Sequence, residues 1–143
     1  MKFDKENSAG YLVNHMARLF AQELQQRIKP LGIVTGQFPI LLELWEKDGV
    51  SQRELLEKLD IEQATLANTL TRMQRDGIIR RTKHPTDARA QQIWLTERAK
   101  DVREEAYKSA LEVNSDALSC LDQTDRALFM QFMGKIISNM RQD

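Results

Sequence analysis

Six basic residues, Arg72, Arg75, Arg80, Arg81, Lys83 and Arg89, fall within residues 72–89, against two acids, Asp76 and Asp87. The chain carries 21 Lys and Arg and 21 Asp and Glu, so a stretch at +4 leaves −4 for the remainder. A local basic stripe inside a neutral chain is the electrostatic footprint of a surface that meets phosphates. The side chains just ahead of it form hydrogen bonds of the kind that read base edges. Asn68 suits a bidentate contact to adenine and Arg72 one to guanine, with Gln63, Thr65 and Thr69 alongside. Arg75, Lys83 and His84 suit the phosphate backbone, and Arg89 a narrow, negative minor groove. Asp87, two residues before Arg89, is expected to support the loop rather than touch nucleic acid.

Catalytic chemistry has no comparable constellation. The chain has two histidines, His15 and His84, and one cysteine, Cys120, with no HExxH, GxSxG or P-loop pattern. No catalytic residue, metal site or cofactor is expected. A single cysteine forms no disulfide framework. A redox role for Cys120 is an alternative, weakened because nothing basic stands beside it to lower its pKa. No apolar run approaches the ~20 residues of a membrane span, and the start MKFDKENSAG lacks the apolar core of a signal peptide. A cytoplasmic protein is the expectation.

These side chains need a rigid mount, and residues 51–95 supply its pattern. Ser51 with Glu54 reads as a capping box opening a short helix, whose apolar face is Leu55, Leu56 and Leu59. Asp60-Ile61 makes a turn. A second helix over 62–76 buries Leu66, Leu70 and Met73, spaced i, i+4, i+7, which leaves Ala64, Thr65, Asn68, Thr71, Arg72 and Arg75 on or near the opposite face. Gly77 suits the left-handed end of that helix. Ile78-Ile79 and Ile93-Trp94-Leu95 are β-prone runs, joined by a basic loop that turns at Pro85 and Asp87. Helix, turn, helix and hairpin make a winged helix, whose second helix enters the DNA major groove.

Leu66, Leu70, Met73, Gly77-Ile78-Ile79, Arg81, the Asp87-x-Arg89 pair and Leu95-Thr96-Glu97 together resemble the MarR family of bacterial transcription regulators. The resemblance extends over the whole chain in length and element order. It departs at Ala88, where the family usually has a polar residue, and at Glu62, where Ser or Asp is the common cap. The fold class implied is mostly α: a single MarR-like domain over 1–143, with an α+β winged helix-turn-helix lobe at 35–95 and a helical dimerisation region at 1–30 and 96–143. The function implied is a ligand-responsive repressor that binds double-stranded DNA as a homodimer at a pseudo-palindromic operator. A winged helix used as a protein-interaction module is the main alternative; it would need an apolar outer face on the second helix.

The flanking helices are read for that dimer. Over 8–29 an apolar stripe of Leu12, Met16, Leu19, Phe20 and Leu24 recurs at helical spacing. Thr35 is expected to cap the next helix, with Phe38, Leu41, Leu42 and Trp45 buried and Pro39 in its first turn. Thr96 caps a long helix over 96–117, with a thin seam of Ala99, Val102, Ala106, Ala110 and Val113. A last helix over 122–142 carries Leu128, Phe129, Phe132, Met133, Ile136, Ile137 and Met140, a band too wide for one side of a monomer of this size. Leu12, Met16, Leu19, Phe132, Ile136 and Met140 are the expected dimer contacts. Tyr11, His15, Arg18 and Gln22 share a polar face of the first helix; with Trp45 as a wall, Tyr11, His15 and Arg18 are candidates for binding a small aromatic or anionic effector. The competing reading is a solvated helix face, with Trp45 in the core.

Overall fold

The structure, a computed structural model, describes residues 1–142. Ser8 accepts the Tyr11 backbone N–H and opens α1 (Ala9–Ile28), which ends in a tight turn closed by Gly32 at φ 77°. A further turn at Thr35–Gln37 leads into α2 (Phe38–Glu46). Thr35 does not cap it: the Val34 N–H is taken by the Gln37 side chain at 3.2 Å, and the Thr35 N–H by Gln25. Then follow β1 (Val50–Ser51), α3 (Gln52–Leu59), α4 (Gln63–Arg75), β2 (Ile79–Lys83) and β3 (Gln91–Leu95). The chain closes with α5 (Glu97–Asp101), α6 (Arg103–Ala117) and α7 (Gln123–Arg141).

The three strands form one antiparallel sheet in the order β1-β3-β2, with Ile79 opposite Leu95 and Arg81 opposite Ile93. One core joins this sheet to α2, α3 and α4 through residues such as Leu41, Leu44, Leu55, Leu66, Leu70 and Ile93. It reaches beyond residues 35–95, taking in Ile28, Ile33, Ala99 and Ala106. α2 lies inside it with most of its circumference covered. Ile40 and Leu44 are therefore buried along with Phe38, Leu41 and Trp45, and Leu42 is the apolar residue of this helix that faces out.

The expected long helix is broken at Val102, which separates α5 from α6. The break has a tertiary cause. The Ala99 carbonyl accepts the Trp45 indole N–H at 2.9 Å, and a side chain inserted into a helical ladder is a standard source of such kinks. Trp45 belongs to the core, with edge-on contacts to Phe38 and Tyr107. The last helix differs from all the others of comparable length. None of its 19 residues is buried, and Phe132, Ile136, Ile137 and Met140 are 54–78% exposed.

Candidate nucleic-acid interface

The capping box of Ser51 and Glu54 holds the first turn of α3: the Ser51 hydroxyl accepts the Glu54 N–H at 3.1 Å, and the Glu54 carboxylate accepts the Ser51 N–H at 3.4 Å. The chain then reverses at Asp60, whose φ of 53° makes it the non-glycine residue with left-handed backbone in the described chain. Glu62 precedes α4 and makes no side-chain cap bond. The rotation of α4 about its axis is set by Leu66, Leu70 and Met73, all fully buried. That leaves Gln63, Thr65, Asn68 and Arg72 exposed on the outside. Thr69 is half-buried, and its hydroxyl donates to the Thr65 carbonyl at 2.8 Å. Thr71 donates to the Ala67 carbonyl and accepts Arg81 Nη2 at 3.2 Å, so β2 braces the middle of the helix.

The wing tip folds around His84. Its Nδ1 accepts the backbone N–H groups of Thr86 and Asp87 at 3.2 and 3.3 Å, and the His84 backbone N–H donates to the Ala90 carbonyl. His84 thus builds the loop from within, and this nitrogen is not aimed at a phosphate. Asp87 Oδ1 accepts the Arg89 N–H at 3.0 Å. At the base of the wing the Trp94 indole donates to Thr82 Oγ1 at 2.8 Å, and the Arg80 guanidinium lies over its ring at 5.4 Å.

The basic side chains divide by partnership. Arg72, Lys83 and Arg89 are exposed and have no ion pair among the described residues. Arg75 is paired, its Nε 3.1 Å from Asp76 Oδ1. Asp76 is the hub at the far end of α4. Its carboxylate also accepts the Gln37 amide at 3.3 Å, and its carbonyl accepts Arg98 Nη1 at 3.2 Å, while Arg98 Nη2 reaches the Gly32 carbonyl. The Arg75 hydrogen bond, then the charge of Arg75, the Gln37 amide and the charge of Arg98, hold the Asp76 carboxyl below its usual range against the opposing effect of desolvation. Gln37, Arg81 and Arg98 thus brace α4 without standing in the expected contact set. Gln37 had one sequence signal, a lone amide beside the apolar run FPILL; Arg98 had none.

The expected effector residues are not gathered in one place. The Tyr11 and His15 rings stand 6.1 Å apart on the exposed start of α1, with Lys5 over Tyr11, and Arg18 is exposed. Trp45 is buried elsewhere, at 8% exposure. A cavity of about 200 Å³ lies instead between α1, α2 and α6, lined by Phe20, Leu24, Thr35, Phe38, Val113 and Asn114 among others. Cys120 is exposed in the turn between α6 and α7. No group of three or more metal-ligating side chains occurs among the described residues, and none of the described helices is long and apolar enough to cross a membrane.

Comparison with known proteins bears on the same elements. The model of the family described as "MarR family" matches residues 35–90, the stretch from the turn before α2 through the wing loop. The transcriptional regulator HosA of Escherichia coli O111:H- is 31% identical over 124 residues, 87% of each chain. Among solved structures, a MarR transcriptional regulator from Methanosarcina mazei Go1 superposes with a TM-score of 0.84 at 27% identity, over 91% of this chain and 94% of that one. The overoxidized AbfR bound to DNA, at 24% identity and a TM-score of 0.73 over 95% of this chain and 94% of that one, shares the fold. A winged helix with a polar, cationic outer face on its second helix, matched by the family model over that lobe and by a 31%-identical regulator over 87% of the chain, belongs to the MarR family of transcriptional regulators, which are DNA-binding proteins and not enzymes.

Proposed function

We propose that the chain is a repressor that reads a pseudo-palindromic operator as a homodimer and responds to a small ligand. The observation that carries this reading is the outer face of α4. Three fully buried residues fix its rotation, and what it turns outward is Thr65, Asn68 and Arg72. These are base-reading types. A protein-docking face would be aromatic and aliphatic there. Asn68 and Arg72 contact bases, with Gln63, Thr65 and Thr69 alongside; Lys83 and Arg89 lie along the backbone or minor groove, where AbfR offers a fold precedent for a complex with DNA. The dimer is supported by α7, a helix of 19 residues with none buried, which in water requires a partner for its apolar side. Leu12 and Leu19 of α1, both about half exposed, extend the same surface, with Met16 between them.

The ligand is a small aromatic compound in the cavity between α1, α2 and α6. Phe38 lines that cavity and makes an edge contact with Trp45 at 5.9 Å, so occupancy is readable in tryptophan fluorescence. A ligand shifts DNA affinity only if it favours one arrangement of the two lobes over the other. The test of the whole reading is selection of bound sequences from a random DNA pool. The expected result is an inverted repeat with half-sites about 10–10.5 bp apart, released when salicylate is titrated in and fluorescence changes together with it. A pool that yields no enriched motif rejects DNA reading; a motif whose binding salicylate and related phenolic carboxylates leave unchanged rejects the proposed ligand class.

A further inference from the structure

α4 is held at its C-terminal end, and the turn that leads into it is held, by residues from outside the winged lobe. At its C-terminal end, Arg98 of α5 binds the Asp76 carbonyl. At its N-terminal side the holding residue is Arg141, in the last turn of α7. Its Nη2 donates to the Glu57 carbonyl at 2.9 Å, and its Nε lies 2.9 Å from Asp60 Oδ2. These are the hydrogen bond and ion pair that join α7 to the winged lobe among the described residues.

The groups that Arg141 touches are the ones that shape the turn between α3 and α4. The carbonyls of a helix's last turn have no intrahelical partner, and the guanidinium occupies one of them. Asp60 sits left-handed at φ 53°, ψ 40°, a conformation that an Asp adopts with a cost a glycine would not bear. Beyond it, Glu62 precedes α4 and supplies no side-chain cap. Leu55 of α3 and Leu66 of α4 share the core, and on the exposed side an arginine fork that joins an orphan carbonyl to the carboxylate of the left-handed residue adds a further constraint on the turn.

We infer that Arg141 is a positioning residue for DNA reading: through Asp60 and Glu57 it makes the C-terminal helix set the direction in which α4 is presented. This rests on the proposed homodimer with α4 in the major groove, and adds the residue through which the helical region governs half-site spacing. Arg141 need touch no DNA for this. It acts on geometry, so its removal should alter the dependence on spacing and leave the phosphate contacts alone.

The experiment measures binding of the full chain to the pool-selected operator, to the same operator with one base pair inserted between half-sites, and to unrelated DNA. Wild type, Arg141→Gln, Arg141→Lys, Asp60→Asn, the Arg141→Gln/Asp60→Asn double variant, Asn68→Ala and Arg72→Ala are compared. Arg141→Gln is expected to weaken binding at native spacing by about fivefold, the upper end for an exposed ion pair. It should weaken the inserted operator less, so that the preference for spacing narrows, with the salt dependence unchanged. Asp60→Asn, which tolerates the left-handed backbone, should behave alike, the double variant should be no worse than either single one, and Arg141→Lys should restore part of the preference. Equal losses on all three DNAs would mean a phosphate contact or general destabilisation and overturn the proposal. So would an unchanged spacing preference in Arg141→Gln while Asn68→Ala relaxes specificity, an outcome that leaves base reading by α4 standing. If Asn68→Ala and Arg72→Ala both keep full specificity, the reading helix itself is misassigned and the positioning role falls with it.

Discussion

Arg89 and Arg75 illustrate why charge alone does not rank contacts. Both are arginines of the basic stripe, yet Arg89 is exposed with its backbone held by Asp87, whereas Arg75 already has a carboxylate partner in Asp76. Arg89→Ala is expected to weaken binding to all sequences and to lower the slope of log affinity against log salt by roughly one. Arg75→Ala should change that slope less, because its cation is already shared with Asp76. Salt titrations by fluorescence anisotropy distinguish the two, and equal slopes for wild type and Arg89→Ala would remove Arg89 from the interface. Asp76 also yields a pH dependence. Its folded-state pKa is lowered, so its stabilisation is present above the ordinary carboxylate pKa and lost as pH falls through the lowered value. Asp76→Asn should be less stable than wild type near neutrality, and the gap should close below about pH 4. Urea midpoints across that range test it; a gap independent of pH would contradict the assignment.

At the scale of elements, the hairpin and the loop ahead of it are fitted to one indole. Trp94 is fixed by Thr82 and lies against Gly49, where an added Cβ would stand 2.5 Å from the ring and the backbone is at φ +72°. Asp48 next door accepts the Leu95 N–H at 2.8 Å, so the loop between α2 and β1 is tied to β3 from both sides. Gly77 is also left-handed, at φ +73°, but has open space at its Cβ position. Gly77→Ala therefore costs backbone strain alone, about 1 kcal/mol, whereas Gly49→Ala adds a steric conflict and should cost roughly 2 kcal/mol or more. Thermal or urea unfolding of the two variants measures the difference. Equal destabilisation would show that the ring moves aside freely, and that the wing is less rigid than its hydrogen bonds imply.

For the whole molecule the unpartnered helix α7 sets the prediction. Ile136 is 56% exposed in the middle of its apolar side, so a charge there costs little in a monomer and much in a buried interface. Ile136→Glu should leave the secondary structure intact, convert a sedimenting dimer to monomer at micromolar concentration, and weaken operator binding, because two half-sites would then be bound independently. The unfolding temperature of the wild type should rise with protein concentration. A wild-type chain that sediments as a stable folded monomer would overturn the dimer, and with it the two-half-site operator.

Local pattern was sufficient for much of this protein. The i, i+4, i+7 spacing of Leu66, Leu70 and Met73 determines which side of α4 faces out, and with it the exposure of Asn68 and Arg72. Ser51 with Glu54, Thr96 and Gly77 mark element ends through bonds that span only a few residues. What tertiary structure decided lies at longer range. Strand β1 has two residues, too few for any periodicity, and exists because Val50 meets Ile93. The interruption at Val102 depends on an indole 54 residues from the carbonyl it binds. Trp45 was a candidate pocket wall as well as a core residue until Phe38 and Tyr107 closed around it. Arg98 and Arg141 carry no local signature, since a cation on a helix face has many possible partners along the chain. Periodicity records which side of an element avoids water; which distant group each polar side chain meets is set only when the elements pack.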